Sequence, residues 1–261
     1  MVRLGRHPNR IDLLIGEAVP DVLDRMKTPA KRIESCDWSG LTAQLDERGY
    51  ALTKPLLTEA ECAELIRLYG RRDAFRSRVV MERHNFGRGE YQYFAEPLPP
   101  LVLALREHFY SPLAEIANRW TERMNKPERF PATLAQFLES CARKQQTLPT
   151  PLILRYEEGD YNCLHQDLYG EIAFPLQVAC VLSRHGRDYS GGEFLLTEQR
   201  PRMQTRGEAV TVEQGQFIVF ANRWRPVSGT RGDYRVNMRH GVSRLKAGER
   251  YSLGLIFHNA K

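Results

Sequence analysis

The hydrophobic pattern of the chain changes its period near Pro149. Before that point, apolar residues recur every three to four positions, which is typical of helices with one buried face. A capping box at Thr58 and Glu61 marks the start of one such helix, which stops at Gly70. The predicted helices cover residues 41–48, 58–69, 101–124, where Pro112 is a potential break, and 132–143, and a strand is predicted over residues 50–53.

After Pro149 the period becomes two, which indicates β-strands. The predicted strands cover residues 152–157, 176–182, 193–197, 208–212, 216–221 and 250–257. Helices followed by a run of strands predict an α+β chain, in which a β-barrel or sandwich is buttressed by N-terminal helices. Because no linker is recognisable, we expect a single domain over residues 36–261, preceded by an appendage or arm over residues 1–35.

The composition is that of an ordinary globular protein, with 42% hydrophobic and 27% charged residues among 261, and it excludes a disordered or collagen-like chain. No apolar run approaches the length of a membrane span, so we expect no membrane partner. The five cysteines form no C-x-x-C pair, which predicts reduced thiols and a cytoplasmic location. The net charge of +6 is compatible with a polyanionic partner, and no obligate protein partner is evident.

The triplet His165-Gln166-Asp167 follows a strand-like stretch. Residues two apart in extended chain project to the same side, so the imidazole and the carboxylate face one point. His240 is the candidate for a third ligand. Two histidines and one carboxylate form the facial triad of non-heme Fe(II) oxygenases, but zinc hydrolases use similar ligands, and a lone H-x-D also occurs by chance.

The segment from Arg250 to Phe257 alternates cleanly, with Arg250 and Ser252 on the same face of a predicted strand. If that face lies inside a barrel, the guanidinium needs an anionic ligand such as a dicarboxylate, which the Ser252 hydroxyl would also bind. If the face is solvated, Arg250 is an ordinary surface residue. Tyr156, on an upstream strand, would contact the same carboxylate or belong to the core.

The order of these residues, with a Gly191-Gly192-Glu193 turn between them, resembles the Fe(II)/2-oxoglutarate-dependent dioxygenases over residues 150–258. The resemblance implies a double-stranded β-helix (jelly-roll) core over about 149–258, with helical support and a lid over about 36–148. It implies Fe(II), 2-oxoglutarate and O2 as cofactor and co-substrates. The roles implied for the site are iron ligation by His165, Asp167 and His240, and co-substrate binding by Arg250, Ser252 and Tyr156.

Two subgroups of this superfamily compete. The stretches 155–159, 164–167, 240–248 and 250–253 are similar to the AlkB-type nucleic-acid demethylases. Ile256 stands where those enzymes carry a second arginine, and Leu154 stands where they carry an asparagine, so the chain resembles a bacterial sister group. The prolyl-hydroxylase-like enzymes share the Tyr-x-x-Gly stretch before H-x-D. The alternatives are therefore a hydroxylase of a protein side chain or amino acid, and a nucleic-acid-binding barrel that has lost catalysis.

Seven arginines lie between residues 67 and 88, and aromatic residues follow them. Basic residues interleaved with aromatics suit phosphate contact and base stacking, so this segment is a candidate lid for DNA or RNA, bound as a single strand or as a flipped base. The alternative is a solvated hairpin whose aromatics pack inward. The substrate candidates are Arg72, Arg76, Tyr91 and Tyr93. A second basic stretch, residues 223–244, flanks His240 and either rings the mouth of the site or consists of loop charges.

Overall fold

The computed structural model of the chain describes residues 28–261. Of the appendage predicted over residues 1–35, residues 1–27 lie outside the described residues, and the remainder includes the first described helix. The described residues contain five α-helices. These are α1 (Pro29–Glu34), α2 (Trp38–Arg48), α3 (Glu59–Leu68), α4 (Pro100–Arg123) and α5 (Leu134–Ala142).

Fourteen β-strands lie within residues 28–261, and every pairing between them is antiparallel. They are β1 (Tyr50–Pro55), β2 (Phe75–Val80), β3 (Gly87–Arg88), β4 (Glu90–Phe94), β5 (Leu152–Glu157), β6 (Tyr161–His165), β7 (Leu176–Val181), β8 (Tyr189–Gly191), β9 (Phe194–Gln199), β10 (Arg206–Val210), β11 (Gln216–Ala221), β12 (Trp224–Gly229), β13 (Gly232–Val242) and β14 (Leu245–Leu255).

The strands form two sheets that face each other. The major sheet has the order β1-β11-β7-β14-β5-β4-β2, with β8 paired to β14. The minor sheet has the order β10-β9-β13-β6-β3, with β12 paired to β13. Phe194 and Leu196 of the minor sheet and Ile218 and Phe220 of the major sheet share one buried apolar cluster, so the core of the sandwich lies between the sheets. The predicted α+β jelly roll with N-terminal helices is confirmed.

Helix α4 buttresses the outer face of the major sheet. Phe109 packs against Phe217 with ring centroids 4.9 Å apart. The helix continues through Pro112 without the break that the sequence suggested, because buried residues on both sides of the proline, including Tyr110 and Leu113, hold it against the sheet. None of the described helices combines the length and apolarity that a membrane crossing requires.

The segment that was predicted as a lid contributes two strands. Strands β2 and β4 form a hairpin, and β4 pairs with β5, with Tyr91 opposite Leu154. Arg78 of β2 forms an ion pair with Glu90 of β4 on the exposed side. Tyr91, Tyr93 and Phe94 of the hairpin pack inward, whereas Arg78 stays on its surface.

Candidate metal centre

The backbone register brings the three predicted metal ligands together. His165 at the end of β6 and His240 in β13 are direct partners in the antiparallel ladder, and their ring centroids lie 4.2 Å apart. Asp167 follows β6, with its Oδ2 atom 3.3 Å from His240 Nε2 and its Oδ1 atom 3.6 Å from His165 Nε2. The candidate ligand atoms all lie within 4.8 Å of one another, close enough to bind one ion.

In both histidines the Nε2 atom faces Asp167. His165 Nδ1 lies 2.8 Å from the carbonyl oxygen of Cys163. Because a carbonyl oxygen only accepts, Nδ1 carries the proton of this hydrogen bond, and Nε2 is the ring atom turned toward Asp167. His240 is buried, and its Nδ1 has no hydrogen-bond partner within residues 28–261.

Three neighbours fix the position of Asp167. The Tyr169 hydroxyl donates to Oδ1 at 2.6 Å, and Gln177 Nε2 donates to Oδ2 at 3.0 Å. Asn222 brackets the backbone, because its Oδ1 accepts from the Asp167 N–H at 2.8 Å and its Nδ2 donates to the Asp167 carbonyl at 2.5 Å. The carboxylate is therefore oriented before any ligand binds.

The electrostatics of the triad suit a divalent cation. Burial raises the pKa of Asp167, but the hydrogen bond from His240 and the nearby charges of both histidines outweigh it and hold this pKa well below its usual range. Burial lowers the pKa of His240, and the charge of His165 lowers this pKa further. A charged carboxylate beside a neutral imidazole is the protonation state in which these groups bind metals.

The opposite wall of the site carries a buried cation. Arg250 and Ser252 lie on β14, and Arg250 is paired with Tyr156 of β5. Arg250 is only 2% exposed, which excludes the solvated face that the sequence left open. Its Nη1 donates to Ser252 Oγ at 3.2 Å, its Nε has no partner, and it has no acidic partner within residues 28–261. A buried guanidinium without an anion is costly, so this pocket is suited to bind one.

One cavity of about 380 Å³ joins the two walls. The triad, Arg250, Ser252 and Tyr156 all line it, and the rest of its lining is largely apolar. Phe86 and Leu164, which are 48% and 40% exposed, lie among its lining residues and rim its mouth. This volume lies in the range of small-molecule sites.

The structure separates the four substrate candidates. Tyr91 lines the cavity. Tyr93 lies behind it, with its ring 6.4 Å from that of Tyr169. The Arg76 guanidinium lies over the Tyr93 ring, 4.6 Å from its centroid, and its Nε donates to the Pro149 carbonyl at 3.0 Å. These contacts give Arg76 a structural role. Arg72 is exposed and is not among the residues that line the cavity.

The comparisons with known proteins agree with this geometry. A family model named Oxygenase-NA, described as an oxygenase catalysing oxidative methylation of damaged DNA, matches residues 89–260. Two uncharacterized proteins of Mycobacterium tuberculosis, one from strain CDC 1551 and one from strain H37Rv, are each 47% identical to the chain over 167 residues. Each of these matches covers 64% of this chain and 72% of the relative.

Solved structures resemble the chain in fold. An oxidoreductase of the 2OG-Fe(II) oxygenase family from Burkholderia pseudomallei is 17% identical with a TM-score of 0.51, and the match covers 85% of this chain and 92% of that one. A prolyl hydroxylase from Trichoplax adhaerens, solved with a peptide fragment of hypoxia inducible factor, is 13% identical with a TM-score of 0.50, and the match covers 93% and 94%. At these identities the likeness establishes the jelly-roll architecture alone.

Proposed function

The chain belongs to the Oxygenase-NA family of oxygenases, and from this premise we propose that it is an Fe(II)- and 2-oxoglutarate-dependent dioxygenase that removes methyl groups from damaged DNA by oxidation. The observation that carries the proposal is the convergence of two features in one cavity. One is the His165, Asp167 and His240 triad, and the other is the buried guanidinium of Arg250, which has no acidic partner within residues 28–261.

The residues present fit this cofactor and co-substrate. The Nε2 atoms of the two histidines and the charged carboxylate supply three ligands of the facial type. The Nε of Arg250, which has no partner within residues 28–261, leaves a donor for an oxygen anion. The chemistry that Fe(II) supplies when bound with 2-oxoglutarate is the insertion of one oxygen atom of O2 into a C–H bond, with succinate and CO2 as co-products.

The protein's own groups then bind and orient the reactants. His165, Asp167 and His240 would hold the metal, with Tyr169 and Gln177 fixing the carboxylate. A dicarboxylate of suitable length would place one end on Arg250 and Ser252 and the other toward the triad. The apolar remainder of the lining, in which Tyr91 takes part, excludes water from the space where the substrate methyl group would lie.

Removal of the methyl group follows from hydroxylation of an N-methyl carbon. The product carries a hydroxyl and a nitrogen on the same carbon, so the C–N bond breaks, the hydroxyl proton passes to the nitrogen, and formaldehyde leaves. The description of the family directs this chemistry to damaged DNA. Hydroxylation of a protein side chain or amino acid remains as an outcome of the substrate test.

The test has two arms. The first is the visible charge-transfer band of the anaerobic protein with Fe(II) and 2-oxoglutarate, which we expect to disappear in His165→Ala and to weaken strongly in Arg250→Met. The second is release of formaldehyde and succinate from an N-methylated single-stranded oligonucleotide, compared with the unmethylated strand. A protein that shows the band, releases no formaldehyde from any methylated strand and hydroxylates a peptide would contradict the DNA substrate. A folded wild type with no band would contradict the oxygenase site.

A further inference from the structure

We propose that a single strand of DNA lies along the outer face of the minor sheet, with one base stacked on Trp224, as the strand leads its damaged base to the cavity. This inference rests on the proposed function and adds the surface that guides the substrate. The residues that carry it come from the second basic stretch, 223–244, which the catalytic proposal does not use.

Two arginines lie over the half-exposed ring of Trp224. The guanidinium carbon of Arg223 is 5.2 Å from the ring centroid, and that of Arg235 is 5.4 Å away. Both arginines are exposed, and neither has an acidic partner within residues 28–261. A neighbouring arginine shows the contrast, because Arg225 is buried, forms an ion pair with Glu198 and has only a structural role.

The alternation of β13 aligns these cations with the metal site. His240 points into the sandwich, whereas Arg235 and Arg239 point outward and are exposed. Arg239 is the direct neighbour of His240 along the chain, so the row of outward cations runs past the wall that holds the metal triad. Phosphates of a bound strand would meet this row.

A short chain of contacts joins the Trp224 platform to the triad. Trp224 is the ladder partner of Asn237, whose Oδ1 accepts from Gln166 Nε2 at 2.6 Å. Gln166 stands between His165 and Asp167 and lines the cavity. One ladder pair and one hydrogen bond therefore connect the platform to a residue that lines the cavity.

The chemistry of the surface favours a nucleic acid strand over an acidic peptide. The carboxylates of an acidic peptide would pair with the arginines but would leave the indole ring of Trp224 unused. A nucleic acid strand would use both, because its phosphates pair with arginines and its bases stack on aromatic rings, as in other single-strand binding sites. The family description, which concerns damaged DNA, points to the same occupant.

Tryptophan fluorescence tests this platform directly. The chain has three tryptophans, of which Trp120 is fully buried and Trp38 packs against Phe109. We therefore expect an unmodified oligo-dT strand to quench the emission of Trp224. Trp224→Ala should weaken binding about fivefold or more and remove the quenching, whereas Trp224→Phe should keep most of the affinity, measured by anisotropy of a labelled strand, because it keeps a stacking ring.

The salt dependence of binding tests the cationic row. Arg235→Ala and Arg239→Ala should each lower the slope of log affinity against log salt by about 0.7, the value for one phosphate contact on a single strand. Arg187→Ala is the matched control, because it also removes an exposed arginine, on a turn whose residues do not line the cavity, and it should leave the slope unchanged.

The outcomes separate this inference from the proposed function. If Trp224→Ala and Arg235→Ala bind oligo-dT like the wild type while the wild type still releases formaldehyde from a methylated strand, the surface is wrong and the function stands. If an acidic peptide displaces the strand from the wild type at equal concentration, the platform is a peptide site and the inference is overturned. If the strand binds as expected and no formaldehyde forms, the surface stands and the proposed reaction fails.

Discussion

Two buried arginines should respond in opposite directions to the same substitution. Arg250 and Arg106 are 2% and 1% exposed, but their surroundings differ. Arg106 donates Nε to the Ile256 carbonyl at 3.1 Å, and Nη2 to the Phe257 carbonyl at 2.8 Å and to Asn259 Oδ1 at 2.9 Å. The only donated bond of the Arg250 guanidinium within the described residues goes to Ser252.

The expected magnitudes follow from these partners. Arg250→Met removes a desolvated charge that lacks an anion, and we expect it to stabilise the ligand-free protein by about 2 kcal/mol, or to raise its Tm by about 4–8 °C. Arg106→Met leaves the Phe257 carbonyl and Asn259 Oδ1 without a donor, whereas the Ile256 carbonyl still accepts from the Thr150 hydroxyl. At about 1–3 kcal/mol for each of the two, we expect a loss of at least about 2 kcal/mol.

The ligand response separates the two variants further. With metal present and 2-oxoglutarate at 100 times its Kd, the wild type should gain about 2.7 kcal/mol. Arg250→Met should lose this gain, because removing one partner of a buried charge pair costs about 3–5 kcal/mol, or more than 100-fold in affinity.

The assay is urea unfolding of both variants and the wild type, with and without 2-oxoglutarate under anaerobic conditions. The reasoning is refuted if Arg250→Met destabilises the protein as much as Arg106→Met does. It is equally refuted if Arg250→Met keeps the full stabilisation by 2-oxoglutarate.

Three further predictions concern residues around the cavity. Tyr169→Phe removes the hydrogen bond to Asp167 and should weaken Co(II) binding about 10- to 100-fold in a spectroscopic titration. Burial lowers the pKa of His258 to about 4 from 6.5, so its neutral form stabilises the fold above pH 6.5. About 3 kcal/mol should be lost as the pH falls from 6.5 toward 4, and urea unfolding of His258→Gln should show a flatter pH dependence. Gly192→Ala, at a φ of +65°, drives its Cβ against Leu245 Cδ1 and places it 3.1 Å from Arg250 Cδ. It should destabilise the protein by at least about 1 kcal/mol more than Gly186→Ala, whose Cβ meets nothing within 4 Å, as measured by urea unfolding.

Each of these predictions has a result that would contradict it. The control for Tyr169→Phe is Tyr251→Phe, because Tyr251 lies on the face of β14 opposite to Arg250 and Ser252. Equal Co(II) affinity in both variants would show that the Tyr169 hydroxyl does not orient the Asp167 carboxylate. An unchanged pH profile in His258→Gln would mean that other groups cause the loss of stability. Equal destabilisation at both glycines would show that backbone strain alone causes the loss, without crowding at Leu245 and Arg250.

The sequence predicted the chemistry of the site better than the strands that hold it. The H-x-D triplet and the alternation at Arg250 carry their chemistry in residue type and spacing, so both could be found without coordinates. The sequence did not predict strand β13 around His240, because the exposed Arg235 and Arg239 make this segment look like a charged loop. The jelly-roll architecture itself came from the resemblance, since periodicity alone left a barrel and a sandwich open.

The residues that orient the site could not be predicted, because their roles depend on tertiary position. Asn222 follows a strand as an ordinary loop amide would, and only the fold places it against the backbone of Asp167. Gln177 is a single polar residue in an otherwise apolar strand, and the sequence does not show that its side chain donates to Asp167. Arg76 illustrates the reverse case, because a residue chosen for its charge proves to cap a tyrosine ring.

The two halves of the site belong to different sheets. The candidate metal ligands lie on β6, β13 and the loop after β6, whereas Arg250, Ser252 and Tyr156, the proposed anion-binding residues, lie on β14 and β5 of the major sheet. A dicarboxylate that contacts both groups of residues would bridge the two sheets, so its affinity would depend on the distance between them. We therefore expect any substitution that moves the two sheets apart, even at the far end of their shared core, to weaken 2-oxoglutarate binding, so that its affinity reports the distance between the sheets.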